Sequence, residues 1–122
     1  MTKNTVSCLS HGDPRFLQVR NDFLAICDAN EAEAKILHIL EGWTNFKRSR
    51  GETSWVLMSC QQFIKESRHT LGETVIYRAL NALMKRGYIK RRRNPADLYA
   101  SRQYRLNLAE IQQALDAHVH NL

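Results

Sequence analysis

No stretch of this 122-residue chain stays apolar for more than a few residues, so nothing in it can span a membrane as a helix. The opening segment, MTKNTVSCLSHGDPR, lacks the apolar core of a secretory signal. Cysteine is scarce. Cys8, Cys27 and Cys60 are odd in number, far apart and never spaced C-x-x-C, which argues against a disulfide framework or a cysteine zinc site. They read as reduced thiols that pack as small apolar groups. The chain also lacks G-x-x-x-x-G-K, H-E-x-x-H and a nucleophile elbow. The expectation is an intracellular, cytoplasmic chain without catalysis, cofactor, metal or an indicated small-molecule ligand.

What is present fits one globular, largely helical domain. Hydrophobic residues make up 43%, with ordinary glycine and proline usage, enough for a single core at this length. The net charge of +6 is unevenly spread. Between Arg78 and Arg105 stand nine Lys or Arg against one acid, Asp97, while the rest of the chain holds nine cations and eleven acids. A local excess of this kind points to a polyanion partner rather than a uniformly solubilising surface.

Local signals order the elements. Asp13-Pro14 suits a helix start, and Phe16, Val19, Phe23 and Ile26 recur at helical spacing up to Asp28. Asn30-x-x-Glu33 opens a second helix with Ile36, Leu37, Leu40, Trp43 and, at its margin, Phe46 on one stripe. Glu31 and Lys35 are spaced to pair on it. After the basic loop KRSRGETS, Trp55 to Met58 reads as a brief strand. Ser59-x-x-Gln62 caps a short third helix with Phe63 and Ile64 inward, and Thr70-x-x-Glu73 caps a fourth from Leu71 to Arg86, ended by Gly87. A two-stranded hairpin follows, and Asn107-x-x-Glu110 begins a last helix with Leu108, Ile111, Leu115 and Val119 on one stripe. From about residue 30 to 107 this is the order of a winged helix-turn-helix. Residues 1–12 are expected as a flexible N-terminus, residues 13–122 as one domain, and helices 13–28 and 108–121 as its flanks.

The fourth helix has two characters. Leu71, Val75, Ala79, Leu80 and Leu83 form the face expected inward. Thr74, Tyr77, Arg78, Asn81 and Lys85 form a polar strip on the opposite side. The major groove accepts one α-helix, which needs an apolar back and a polar front. Arg78 suits a bidentate contact with guanine and Asn81 with adenine; Thr74 and Tyr77 suit a thymine methyl or a phosphate, and Lys85 the backbone. An ordinary solvated face is the alternative for the strip alone.

The hairpin GYIKRRRNPADLYASRQYRLN supplies the adjoining charge. Lys90, Arg91, Arg92, Arg93, Asn94 and Arg102 are its candidate DNA contacts, the cations reading as phosphate ligands that give affinity without sequence information. Asn94-Pro95-Ala96-Asp97 suits the tip. Strand alternation turns Ile89, Tyr104 and Leu106 to the core, so Arg105 and part of the arginine run face elsewhere.

WTNFK, SWVLMSCQQF, TVIYRALNALMKRGYIKRRRN and SRQYRLN together resemble the winged-helix domains of phage and plasmid replication proteins. They are also similar to small repressors carried by bacterial mobile elements. The resemblance covers roughly residues 31–107 and rests on Trp43, Trp55, Leu80, Leu83, Gly87, Tyr88, Ile89, Asn94, Arg102, Tyr104 and Asn107. It implies double-stranded DNA binding by the fourth helix and the hairpin, without catalysis, in the cytoplasm at a bacterial nucleoid. With no replication ATPase following in the sequence, a transcriptional repressor of a mobile element is expected ahead of a replication or recombination accessory protein. A module that meets acidic proteins is the third reading.

Phe16, Phe23, Ile111, Leu115 and Val119 on the flanking helices are expected to form a homodimer interface that presents two copies to a near-palindromic operator. Completion of the monomer's core is the alternative use. Three lesser features read blandly. Glu33-Ala34-Lys35 resembles a nuclease E-x-K but suits an exposed ion pair; His118 and His120 diverge on a helix; His69 is a turn residue near which a phosphate could sit.

Overall fold

The computed structural model describes residues 20–93 and 102–120. Its elements are α1 (Asn21–Ile26), α2 (Glu31–Ser49), β1 (Val56–Met58), α3 (Cys60–Glu66), α4 (Glu73–Arg86), β2 (Ile89–Arg93), β3 (Arg102–Leu106) and α5 (Leu108–His120). The chain is mainly helical, with one three-stranded antiparallel sheet of order β1-β3-β2. No helix among the described residues is long and apolar enough to cross a membrane. Asp13-Pro14, Phe16, Val19, Cys8 and the tip Asn94–Asp97 lie outside the described residues.

Three expected caps are made. Asn30 accepts from the Glu33 amide at 3.0 Å, Ser59 from Gln62 at 3.1 Å and Asn107 from Glu110 at 3.3 Å. Gly87 ends α4 in the left-handed region at φ 82°, where the amides of Gly87 and Tyr88 reach back to Met84 and Leu83. A side chain there would be strained, so the glycine is required by backbone geometry.

The fourth cap is not made as expected. Thr70 donates to the Ser67 carbonyl at 2.7 Å and so belongs to the preceding turn; Gly72 is the N-cap of α4, without a side-chain bond. That turn is tight: Arg68 and His69 both have positive φ, and buried Ser67 donates to the Ile64 carbonyl while accepting from the Leu71 amide. Lys35 is held here too, through Thr70 Oγ1 at 3.1 Å, rather than by Glu31.

The core joins α2, α3, α4 and the inner face of the sheet, with α1 packed on α2 and α5. On α4 the buried face is Ile76, Ala79, Leu80 and Leu83, with Leu71 just before it. Val75, expected inward, is 40% exposed, while Ile76 is fully buried. One residue is a rotation of about 100° on a helix, so a face centred on Ile76 and Leu83 leaves Val75 at its edge. Phe46 is likewise half exposed, resting edge-on against Trp43 and beneath Arg50.

Distant residues lock the end of α4. Arg86 donates to Glu33 at 2.7 Å, to Asp28 at 2.9 Å and to the Cys27 carbonyl, and Tyr88 donates to the Ile26 carbonyl at 2.9 Å. Glu33 is therefore only 5% exposed, not the surface group expected of the E-x-K triplet. Burial pushes the neighbouring Cys27 thiol up to about 12, so it sits in the core as an apolar group.

Candidate nucleic-acid interface

All five residues of the polar strip on α4 are exposed: Thr74, Tyr77, Arg78, Asn81 and Lys85. At 3.6 residues per turn the centre of the strip lies roughly 165° around the helix from the buried face. Packing of Ile76, Leu80 and Leu83 thus fixes the direction in which Arg78 and Asn81 project. Beside the strip runs a groove of about 300 Å³ lined by Asn30, Ala32, Glu33, Val75, Arg78, Ala79 and Ala82.

The cations of the hairpin divide by register. Arg91 pairs with Tyr104, Arg93 with Arg102 and Ile89 with Leu106. Side chains at directly paired positions share a face, and alternation along β2 puts these three pairs together. Ile89, Tyr104 and Leu106 are buried, as expected, so this is the inner face. It grades from apolar at the base to cationic towards the tip, where Arg91 and Arg93 are exposed and Arg102 is half-buried. Lys90 and Arg92, paired with Arg105 and Gln103, lie on the other face. The candidate set Lys90, Arg91, Arg92, Arg93 and Arg102 is therefore split across two faces, and Asn94 is outside the described residues.

The Tyr77 phenol on α4 is raised above its ordinary pKa, chiefly by Cys60 at the start of α3, with Arg102 opposing. Tyr104 packs edge-on against Phe63, with ring centroids 5.6 Å apart. Burial raises its phenol, and the charge on Arg91 acts in the opposite direction.

Of the nine cations between Arg78 and Arg105, only Arg86 has an ion pair among the described residues. That removes Arg86 from the available charge and leaves eight side chains without a carboxylate partner. Like charges facing each other across a ladder destabilise it, and the Arg93–Arg102 pair is one such case.

The other expected positions fall out differently. Phe23 and Ile111, expected at a dimer interface, are buried inside the chain where α1 meets α5. Their apolar surface is spent on the monomer's core. Leu115 is half-buried and Val119 is 63% exposed, while Phe16 lies outside the described residues. His69 is exposed in the turn before α4. No group of three or more potential metal ligands occurs among the described residues.

No known protein family, curated protein or solved structure gives a match to this chain.

Proposed function

We propose that the chain is a winged helix-turn-helix protein that binds duplex DNA sequence-specifically. In this reading α4 is the recognition helix in the major groove and the β2–β3 hairpin is the wing. Arg78 and Asn81 read base edges; Thr74, Tyr77 and Lys85 complete the helix contacts; Arg91, Arg93 and Arg102 hold phosphates. The observation that carries the reading is that α4 exposes Thr74, Tyr77, Arg78, Asn81 and Lys85 on the side opposite its buried face, as a groove-binding helix requires. Eight cations without carboxylate partners among the described residues supply the charge that a polyanion would offset.

The biological role that fits best is a homodimeric repressor that occludes a promoter, most simply one belonging to a mobile genetic element. Of the expected dimer positions among the described residues, exposed Val119 and half-buried Leu115 on α5 remain for a second copy. A replication or recombination accessory protein would use the same surface. A footprint over a promoter supports the repressor, and iterated sites at an origin support the accessory role.

The direct test is base selection. Arg78→Ala and Asn81→Ala are each expected to cost about 1–3 kcal/mol at the cognate site and to relax preference at one base pair. Losses of equal size on every sequence would reject α4 as the reading element.

A further inference from the structure

The outer face of the sheet is a second basic surface, and its composition differs from the first. Register lays six side chains out in two rows across β1, β3 and β2. One row is Leu57, Gln103 and Arg92; the other is Trp55, Arg105 and Lys90, with Trp55 one residue ahead of β1. Neighbouring strands stand about 4.8 Å apart and the rows about 6.8 Å apart. The ring contacts confirm the arrangement: the Arg92 guanidinium lies 4.3 Å from the Trp55 ring centre and that of Arg105 lies 5.9 Å away. Arg92 also donates to Gln103 at 2.7 Å, so the guanidinium is held in place over the indole.

None of the six is acidic. Lys90 and Arg105 oppose each other directly, a like-charge pair that weakens the hairpin unless an anion lies over it. Leu57, meanwhile, is 47% exposed in the middle of a strand. Phosphates account for the cations but give Trp55 and Leu57 nothing to touch. Duplex DNA hides the flat faces of its bases within the stack. A single strand presents phosphates and unstacked bases together, and pairs of cationic and aromatic side chains are the platforms on which such strands lie.

The geometry points to a binding site for single-stranded nucleic acid on this outer face. Phosphates lie on Lys90, Arg92 and Arg105, a base packs against Trp55 and Leu57, and the Gln103 amide faces base edges. The site is on the opposite side of the sheet from Arg91 and Arg93, so it is separate from the surface proposed for duplex DNA, and both can be filled at once.

The chain has two tryptophans, so Trp43→Phe leaves Trp55 as the sole indole. Titrating that protein with an oligothymidylate of about a dozen nucleotides should quench its emission saturably, because the base stacks on the indole. Anisotropy of a labelled oligothymidylate on the otherwise wild-type chain gives a readout that does not depend on Trp43→Phe folding well. There Trp55→Ala should weaken binding roughly tenfold, the loss of one stacked base. Lys90→Gln with Arg105→Gln should weaken it as well and flatten its salt dependence. Binding should persist in Arg78→Ala/Asn81→Ala and beside saturating duplex. Absence of quenching, equal quenching by an oligoglutamate of the same length, or stoichiometric displacement by duplex would each overturn the site. Duplex binding without oligothymidylate binding rejects this inference alone; the reverse result rejects the proposed function alone.

Discussion

Neutralising the hairpin one face at a time gives a quantitative test of which cations meet duplex DNA. Arg91, Arg93 and Arg102 share the inner face, and none has an ion pair among the described residues. Each phosphate contact contributes about 0.9 to the slope of log affinity against log salt, so replacing all three by Gln should make the slope shallower by about 2.7. Over the fourfold rise from about 50 to 200 mM salt, the wild type should then lose about 40 times more affinity than the variant. The measurement is anisotropy of a labelled duplex at several salt concentrations, with thermal melts confirming that both proteins are folded. The matched variant, Lys90→Gln/Arg92→Gln/Arg105→Gln, should keep the wild-type slope, because its side chains face away from α4. Equal flattening by the two sets would refute the division into faces. No flattening by the inner set would refute duplex contact by the hairpin.

Three further outcomes test the physical account. Arg86→Ala strips the partner from nearly buried Glu33 and should cost about 3 kcal/mol in denaturant melts, towards the low end for such pairs because Arg86 is partly solvated; adding Glu33→Gln should recover part of the loss. Ile76→Ala should cost about 2–5 kcal/mol and Val75→Ala less than about 0.5, and a reversed order would return Val75 to the core. His38 is buried on α2, with its Nδ1 lacking a hydrogen-bond partner among the described residues, and burial, aided by the charge on Arg20, lowers its pKa. The unfolded chain takes up the proton first as pH falls below about 6.5, so this residue should weaken folding progressively from there downward. His38→Phe should reduce that acid sensitivity in melts between about pH 7.5 and about pH 5, which span the ordinary His pKa; an unchanged profile would assign the sensitivity elsewhere.

Much of the local architecture was legible because its causes lie close in the chain. Asn30, Ser59 and Asn107 each satisfy an amide three residues on, and Gly87 fits a backbone conformation that other residues resist. Alternation alone placed Ile89, Tyr104 and Leu106 inward. The phase of α4 was harder. Thr70 carried the same capping signature as Ser59, but the turn at Ser67–His69 consumed its hydroxyl, and Val75 and Ile76 are equally apolar candidates one position apart.

The amino-acid sequence by itself therefore determined the succession of helices and strands, the polar strip on α4 and the concentration of positive charge between residues 78 and 105. These follow from caps, periodicity and composition, whose physics acts over a few residues. Tertiary structure alone decided which cations are free and where they point. Arg86 is paired with carboxylates 53 and 58 positions away, Phe23 and Ile111 are absorbed by the monomer's core, and the ladder register sends Arg91 and Arg92 to opposite sides. Coulomb attraction and burial depend on distance in space, which chain order does not specify until the core has packed.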